Sequence, residues 1–215
     1  MTEPMSKPQS FQTADDRILR NVCVYCGSSP GADPIYETAA RTLGHLLAKE
    51  SIGLVYGGGS RGLMGVVANS VLAEGGTVTG IIPSFLTERE GMIDAVQTNL
   101  IVPDMHTRKR IMFERADAFV ALPGGIGTLE ELIEQLSWVQ LGRHTKPVVI
   151  ADIGGFWRPL LDLFAHMRAH GFIQASLEVR YLVAERVEDI LPMIQSALMK
   201  SHLLGKAKET LDQPL

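Results

Sequence analysis

The sequence predicts a single-domain, doubly wound (Rossmann-like) α/β fold: a parallel sheet of about seven strands with helices on both faces. Three observations predict it. Strand-like runs such as "NVCVY", "GLVY" and "AFVAL" are continuously apolar rather than alternating, which means burial on both faces. Helical patterns separate most of these runs, with short loops between. Small residues gather where strands pass into helices, and such sheets bind ligands at the carboxyl ends of their strands.

In chain order, the strands are expected at 22–25, 53–56, 78–82, 98–102, 118–122, 148–151 and 181–183. Asp33-Pro34 places an N-cap before a proline at the first helical position and opens a helix to about Lys49. A second helix spans 62–73 and ends at Gly75-Gly76. Further helices are expected over 104–116, 129–141, 156–169 and 187–199. Residues 1–18 read as a disordered leader, 19–200 as the catalytic domain and 201–215 as a polar tail. No linker or internal repeat divides the chain.

Composition narrows the function. At 215 residues one sizeable domain is expected, and a net charge of −4 argues against a nucleic-acid or membrane-surface binder. No apolar run approaches the length of a membrane helix, and the N-terminus lacks the apolar core of a signal peptide. Two cysteines make no disulfide framework, so a reducing, cytoplasmic setting is expected. They do spell Cys23-x-x-Cys26, but an odd spacing on a strand points the side chains to opposite faces, and no second pair completes a zinc site. His166 and His170 stand i, i+4 without a His-Glu-x-x-His pattern and read as a solvated helix face. Neither a metal nor a cofactor is expected.

Three strand-to-helix loops carry the chemistry: "CGSSPGADP", "YGGGSRGLMG" and "LPGGIGTLEE". Each can present backbone N–H groups to an anion at a helix N-terminus. The second loop contains Gly57-x-Gly59-x-x-Gly62, the dinucleotide fingerprint by pattern. It follows the second strand rather than the first, and the next strand ends Ile81-Ile82-Pro83 where an acidic residue would be needed. No Gly-Lys-Ser/Thr occurs, so a P-loop fails too. A mononucleotide or sugar phosphate remains.

Glu131 is the odd residue, because a phosphate site gains nothing from a carboxylate close by. Were Thr128 the N-cap, Glu131 would be N3 and Thr-x-x-Glu a capping box. The alternative is that Glu131 does chemistry on something attached to the phosphate. The cationic "DMHTRKR" at a helix start, unfavourable for the helix dipole, favours the second reading if the cluster binds an anion.

"PGGIGTLEE", together with "YGGGSRGLMG", "IPSFL" followed by Glu90, "MHTRK" and "WVQLG", resembles the LONELY GUY (LOG) family from about Val22 to Val183. The resemblance implies cleavage of the N-glycosidic bond of adenine nucleotides, as cytokinin riboside 5′-monophosphate phosphoribohydrolases do, releasing free base and ribose 5-phosphate. Carried over by motif, the catalytic residues are Arg108 and Glu131, and the phosphate contacts are Gly124, Gly125, Gly127 and Thr128. Ser28, Gly58, Gly59, Glu90, Met105 and Lys109 would complete the nucleotide pocket. Gly91, beside Glu90, departs from the usual family pattern at the pocket rim. The resemblance also implies a homodimer or an assembly of dimers. Relatives carry an older lysine decarboxylase label, but neither Lys109 nor Lys146 has the acidic partner that a pyridoxal phosphate Schiff base would need. Two other functions stay open: a general AMP or purine nucleotide nucleosidase, and a non-catalytic nucleotide carrier on the same fold.

Overall fold

A computed structural model describes residues 19–173 and 180–211, with side chains to residue 203. The expected leader, residues 1–18, lies outside the described residues. Seven parallel strands form one sheet in the order β4-β3-β2-β1-β5-β6-β7. They are β1 (Asn21–Tyr25), β2 (Gly53–Tyr56), β3 (Val78–Pro83), β4 (Thr98–Val102), β5 (Ala118–Ala121), β6 (Val148–Ala151) and β7 (Leu182–Ala184). The chain winds outward from β1 to β4, returns to place β5 against the other side of β1, and winds outward again. The order therefore reverses between β1 and β5.

The helices are α1 (Pro34–Lys49), α2 (Gly62–Ala73), the short α3 (Thr87–Glu90), α4 (Met105–Arg115), α5 (Ile126–Gln140), α6 (Arg158–Ala169) and α7 (Ile190–Leu211). Asp33 caps α1 by accepting from Ile35 N at 2.9 Å, with Pro34 in the first turn as expected. Residues of α1, α2 and α7 pack one face of the sheet around Val22, Val24, Leu54 and Val120. Residues of α4, α5 and α6 pack the other around Cys23, Tyr25, Val55 and Phe119. The two cysteines fall in opposite cores, as their spacing predicts, and both are free.

The central strands are buried except at Asn21 and Thr79, whereas the edge strands β4 and β7 are half open. Two differences from the sequence reading stand out. A 3₁₀ turn (Ser84–Leu86) and α3 fill the stretch after β3 that had no assigned element. Residues Val187–Asp189 form a 3₁₀ turn rather than the start of a helix, and α7 runs on to Leu211, past the expected end at 199. Good helix formers in "ALMKSHLLGKAKETL" outweigh the lone glycine there. Among the described residues, no helix is long and apolar enough to cross a membrane.

Candidate active site

The point where strand order reverses is where a doubly wound sheet opens a crevice. Here the loops after β1, β2 and β5 meet. Gly27 N donates to Pro123 O at 3.1 Å, tying the first loop to the fifth, and Leu63 N donates to Gly27 O at 3.0 Å, tying α2 to the first. Both loops crowd Gly27, where an added Cβ would meet Ser29 O at 3.0 Å and Gly124 Cα at 3.4 Å. The cleft they form is lined by Ser28, Glu90, Met105, Arg108, Thr128 and Glu131, with Gly125 and Gly127 at its edge.

The start of α5 corrects the sequence reading. The helix begins at Ile126, three residues before the expected 129, and its N-cap is Gly125, in extended conformation with no side-chain cap. A glycine cap carries no side-chain signal, while Thr128 imitates one. The first carbonyl bond of the helix runs from Leu129 N to Gly125 O at 3.0 Å, so the N–H groups of Ile126, Gly127 and Thr128 have no partner within the helix. Thr128 is thus the third helical residue and Glu131 the sixth. A capping box needs Glu at the third position, so that reading of Glu131 falls.

Glycine at 125 and 127 is not demanded by the protein's own packing, because a Cβ at either would meet nothing within 4 Å. Neither has a positive φ. The space above these N–H groups is open, as close approach of an anion to the backbone requires. Gly124 is different: a Cβ there would collide with Thr128 Oγ1, so its glycine serves the packing of loop on helix.

Beneath this loop lies a buried ion pair. Arg108, in the first turns of α4, and Glu131 are each only 7% exposed, with Nη1 to Oε1 at 3.1 Å. Arg108 Nε donates to Ile81 O at 3.2 Å and Nη2 to Gly57 O at 3.5 Å, which fixes the guanidinium against the ends of β2 and β3. Gly57 is what admits it, since a Cβ there would collide with Nη2. Burial pushes the Glu131 carboxyl from an ordinary 4.5 up to about 7. Arg108 pulls it back down, Glu130 raises it, Lys109 lowers it and Glu90 raises it. Desolvation outweighs the single guanidinium, because a cation already shared with two carbonyls cannot replace a full hydration shell. The group is therefore poised to gain or lose a proton near neutrality. Burial also pushes the thiols of Cys23 and Cys26 well above their usual range, which makes both poor nucleophiles.

The cationic cluster pairs with the protein's own carboxylates. Arg108 faces Glu131, Lys109 Nζ bonds Glu130 Oε1 at 2.6 Å and Glu134 Oε1 at 3.0 Å, and Arg110 pairs with Glu114. Asp104 caps the helix by accepting from Thr107 N at 2.8 Å, which lowers its own pKa and offsets the cations at the dipole's positive end.

Of the sequence-predicted residues, Ser28, Glu90, Met105, Arg108, Gly125, Gly127, Thr128 and Glu131 come together in the cleft wall. Gly58, Gly59, Gly124 and Lys109 stand behind it. Gly58, at φ 80°, lets the second loop press on Ile82, and Gly59 abuts Met64 and Glu90. Glu90 is pinned from behind: Ser60 donates to its carbonyl through both N (3.2 Å) and Oγ (3.0 Å). Its Oε2 is buried and has no hydrogen-bond partner within the protein. A Cβ at Gly91, φ 67°, would meet Ser60 Oγ at 2.5 Å, so the unusual glycine at the rim serves this tie. Sequence reasoning missed Tyr25, Cys26, Glu130, Gly57, Met64 and Ile126, which also line the cleft. The last is 81% exposed on the cleft's lip, an apolar residue between two glycines that could have drawn attention.

Several known proteins are similar to this chain. The family model described as "Possible lysine decarboxylase" matches residues 64–194. A probable cytokinin riboside 5′-monophosphate phosphoribohydrolase of Oryza sativa subsp. japonica is 42% identical over 179 residues, 83% of this chain and 78% of the relative. A cytokinin riboside 5′-monophosphate phosphoribohydrolase of Rhodococcoides fascians is 42% identical over 178 residues, covering 82% of this chain and 90% of its own. Among solved structures, a molybdenum cofactor binding protein from Rippkaea orientalis superposes with a TM-score of 0.64 at 24% identity, over 85% of this chain and 98% of that one. The Moco carrier protein from Chlamydomonas reinhardtii gives 0.65 at 22%, over 85% and 99%. At those identities the likeness is one of fold.

Proposed function

The chain belongs to the LONELY GUY family of cytokinin riboside 5′-monophosphate phosphoribohydrolases, and on that premise we propose that it hydrolyses the N-glycosidic bond of N6-modified adenosine 5′-monophosphates. The products are the free base, a cytokinin, and ribose 5-phosphate. One observation carries the reading: a buried carboxylate, Glu131, lies one and a half turns below an uncapped, glycine-lined helix start. A carrier would need the helix start alone. It would gain nothing from a carboxylate whose burial costs the fold stability.

The chemistry follows from that arrangement. The N–H groups of Ile126, Gly127 and Thr128, aided by the α5 dipole, take the 5′-phosphate. The ribose then lies over Glu131. As the C1′–N9 bond breaks, its electron pair leaves with the adenine, which takes a proton from solvent, and positive charge builds on the ribose ring. Ionised Glu131 faces that charge and accepts a proton from the water that adds to C1′. Arg108 holds the carboxylate in place and keeps a fixed positive charge between it and the phosphate.

Turnover of N6-isopentenyl AMP and AMP by the purified protein tests the substrate. Faster release of the modified base is expected. Equal rates would make the protein a general AMP nucleosidase, and no release from either would leave a carrier.

The active form is a homodimer or an assembly of dimers. Half-buried Ile111 on α4, half-buried Ile133 and Val139 on α5, and exposed Leu141 just past α5 supply an apolar contact face. Light scattering at micromolar concentration is expected to give at least twice the mass of one chain, and a stable monomer would contradict this. The free cysteines support a cytoplasmic setting.

A further inference from the structure

Two rungs of charge join α4 to α5. One is the Arg108–Glu131 pair on the cleft floor. The other is formed by the neighbouring residues: Lys109 reaches Glu130 Oε1 at 2.6 Å and Glu134 Oε1 at 3.0 Å. Lys109 is only 13% exposed, yet it is not part of the cleft wall. Glu130, at 52% exposure, is too wet for its pair to add much stability, about 0–1 kcal/mol. The Lys109–Glu134 half of the rung, with side chains 13% and 23% exposed, ties the two helices, but the exposed Glu130 half needs another explanation.

Charge supplies one. Around the cleft stand four carboxylates, Glu90 on α3 and Glu130, Glu131 and Glu134 on α5, against two cations, Arg108 and Lys109 on α4. Cys23 and Tyr25 on β1 and Cys26 just past it feel the charge of Glu131, and burial keeps all three protonated. Without Lys109, Glu131 would have an uncompensated carboxylate beside it in sequence and another one turn on, and a doubly charged phosphate would have to enter the same field. We propose that Lys109 is a positioning residue that neutralises Glu130 and Glu134, so that Glu131 can be ionised at neutral pH beside a bound phosphate. It does so without touching substrate. The inference rests on the catalytic reading of Glu131 given above.

Burial pulls the Lys109 ammonium down, but its hydrogen bonds to Glu130 and Glu134 outweigh this and hold it above its ordinary value. It remains charged across the working range. The opposite holds for Glu131, which sits near 7 with Lys109 present and has only Arg108 as a second cation to lower it.

The test is kcat/KM for a nucleoside 5′-monophosphate between about pH 5.5 and 9.5, measured for the wild type, Glu131→Gln, Lys109→Met, Lys109→Met/Glu130→Gln and Glu130→Gln/Glu134→Gln. The substrate's phosphate titrates near pH 6 in every case, so differences between variants report the protein. In the wild type an ascending limb centred near pH 7 is expected, because the ionised carboxylate is the active form. Lys109→Met should move that limb up by about one unit, giving a deficit of about tenfold near pH 6 that shrinks as pH rises. Adding Glu130→Gln should move it part of the way back. Glu130→Gln/Glu134→Gln, which leaves Lys109 unpaired, should move it down, and this arm decides the matter if Lys109→Met does not fold. If Lys109→Met instead loses the same factor at every pH through KM, Lys109 touches substrate and the proposal is overturned. An unmoved limb in Glu130→Gln/Glu134→Gln overturns it as well. A limb that survives in Glu131→Gln is a different failure: it removes the catalytic reading of Glu131, and this inference with it.

Discussion

Glu131→Gln is expected to lower turnover of a nucleoside 5′-monophosphate by roughly 10² to 10⁴ while leaving its binding little changed. Glutamine keeps the shape of the side chain and can accept from Arg108 Nη1, so the cleft floor stays in place. What it removes is the negative charge facing the ribose and the site that accepts the water's proton. The loss should fall on kcat rather than KM. Glu130→Gln is the matched control. It lies about 100° around the helix, and its carboxylate is turned to Lys109. It should keep most activity near pH 8.

Stability gives a second signature for the same variant. The folded carboxyl of Glu131 titrates near 7, above its unfolded value near 4.5. Below about 4.5 it is protonated in both states and costs nothing. As pH rises from there to about 7 the unfolded state ionises first, and the fold loses up to about 3 kcal/mol. Gln has no such term. The melting temperature of Glu131→Gln relative to wild type should therefore rise by several degrees between pH 5 and pH 8. A structural carboxylate would show the reverse, the variant losing ground as pH rises.

Nucleosides lacking the 5′-phosphate are expected to be poorer substrates by roughly 10² or more in kcat/KM. With adenosine in place of AMP, the first-turn N–H groups of α5 have no acceptor in a site closed over by the base and sugar, and unpaired donors are costly. Equal turnover of adenosine and AMP would sink the phosphate assignment. Gly127→Val checks it from the protein's side. A Cβ at this position would meet no protein atom within 4 Å, so the melting temperature should hold while KM for the nucleotide rises at least tenfold.

Much of the fold was legible because burial on both faces leaves a plain mark. The runs at β1, β2, β3, β5 and β6 are continuous and apolar, and their expected ends fall within a residue of the observed ones. The edge strand β4 falls at its expected bounds, and β7 is shifted by one residue. Alternation was legible too: it placed Cys23 and Cys26 on opposite faces. The start of α5 was not, because its cap is a glycine and the true signal is the absence of a side chain. Nor could local pattern join Arg108 to Glu131 or Lys109 to Glu130, partners on two different helices with a strand between them. Glu131 was legible as a carboxylate out of place beside a phosphate loop, whereas Arg108 came from the family motifs. The geometry adds what motifs omit: Arg108 is spent on Glu131, Ile81 and Gly57, and Lys109 on two carboxylates, so the basic cluster is turned toward the protein's own acids.

The most direct test of the central claim is the mass balance of a single reaction. Purified protein is incubated with N6-isopentenyl AMP, and free base, nucleoside, inorganic phosphate and ribose 5-phosphate are all quantified. Free base and ribose 5-phosphate are expected in equal amounts, with neither nucleoside nor inorganic phosphate released. Nucleotide that binds and stays intact, or that yields nucleoside and phosphate, would contradict the assignment of this cleft as an N-glycosidic hydrolase site.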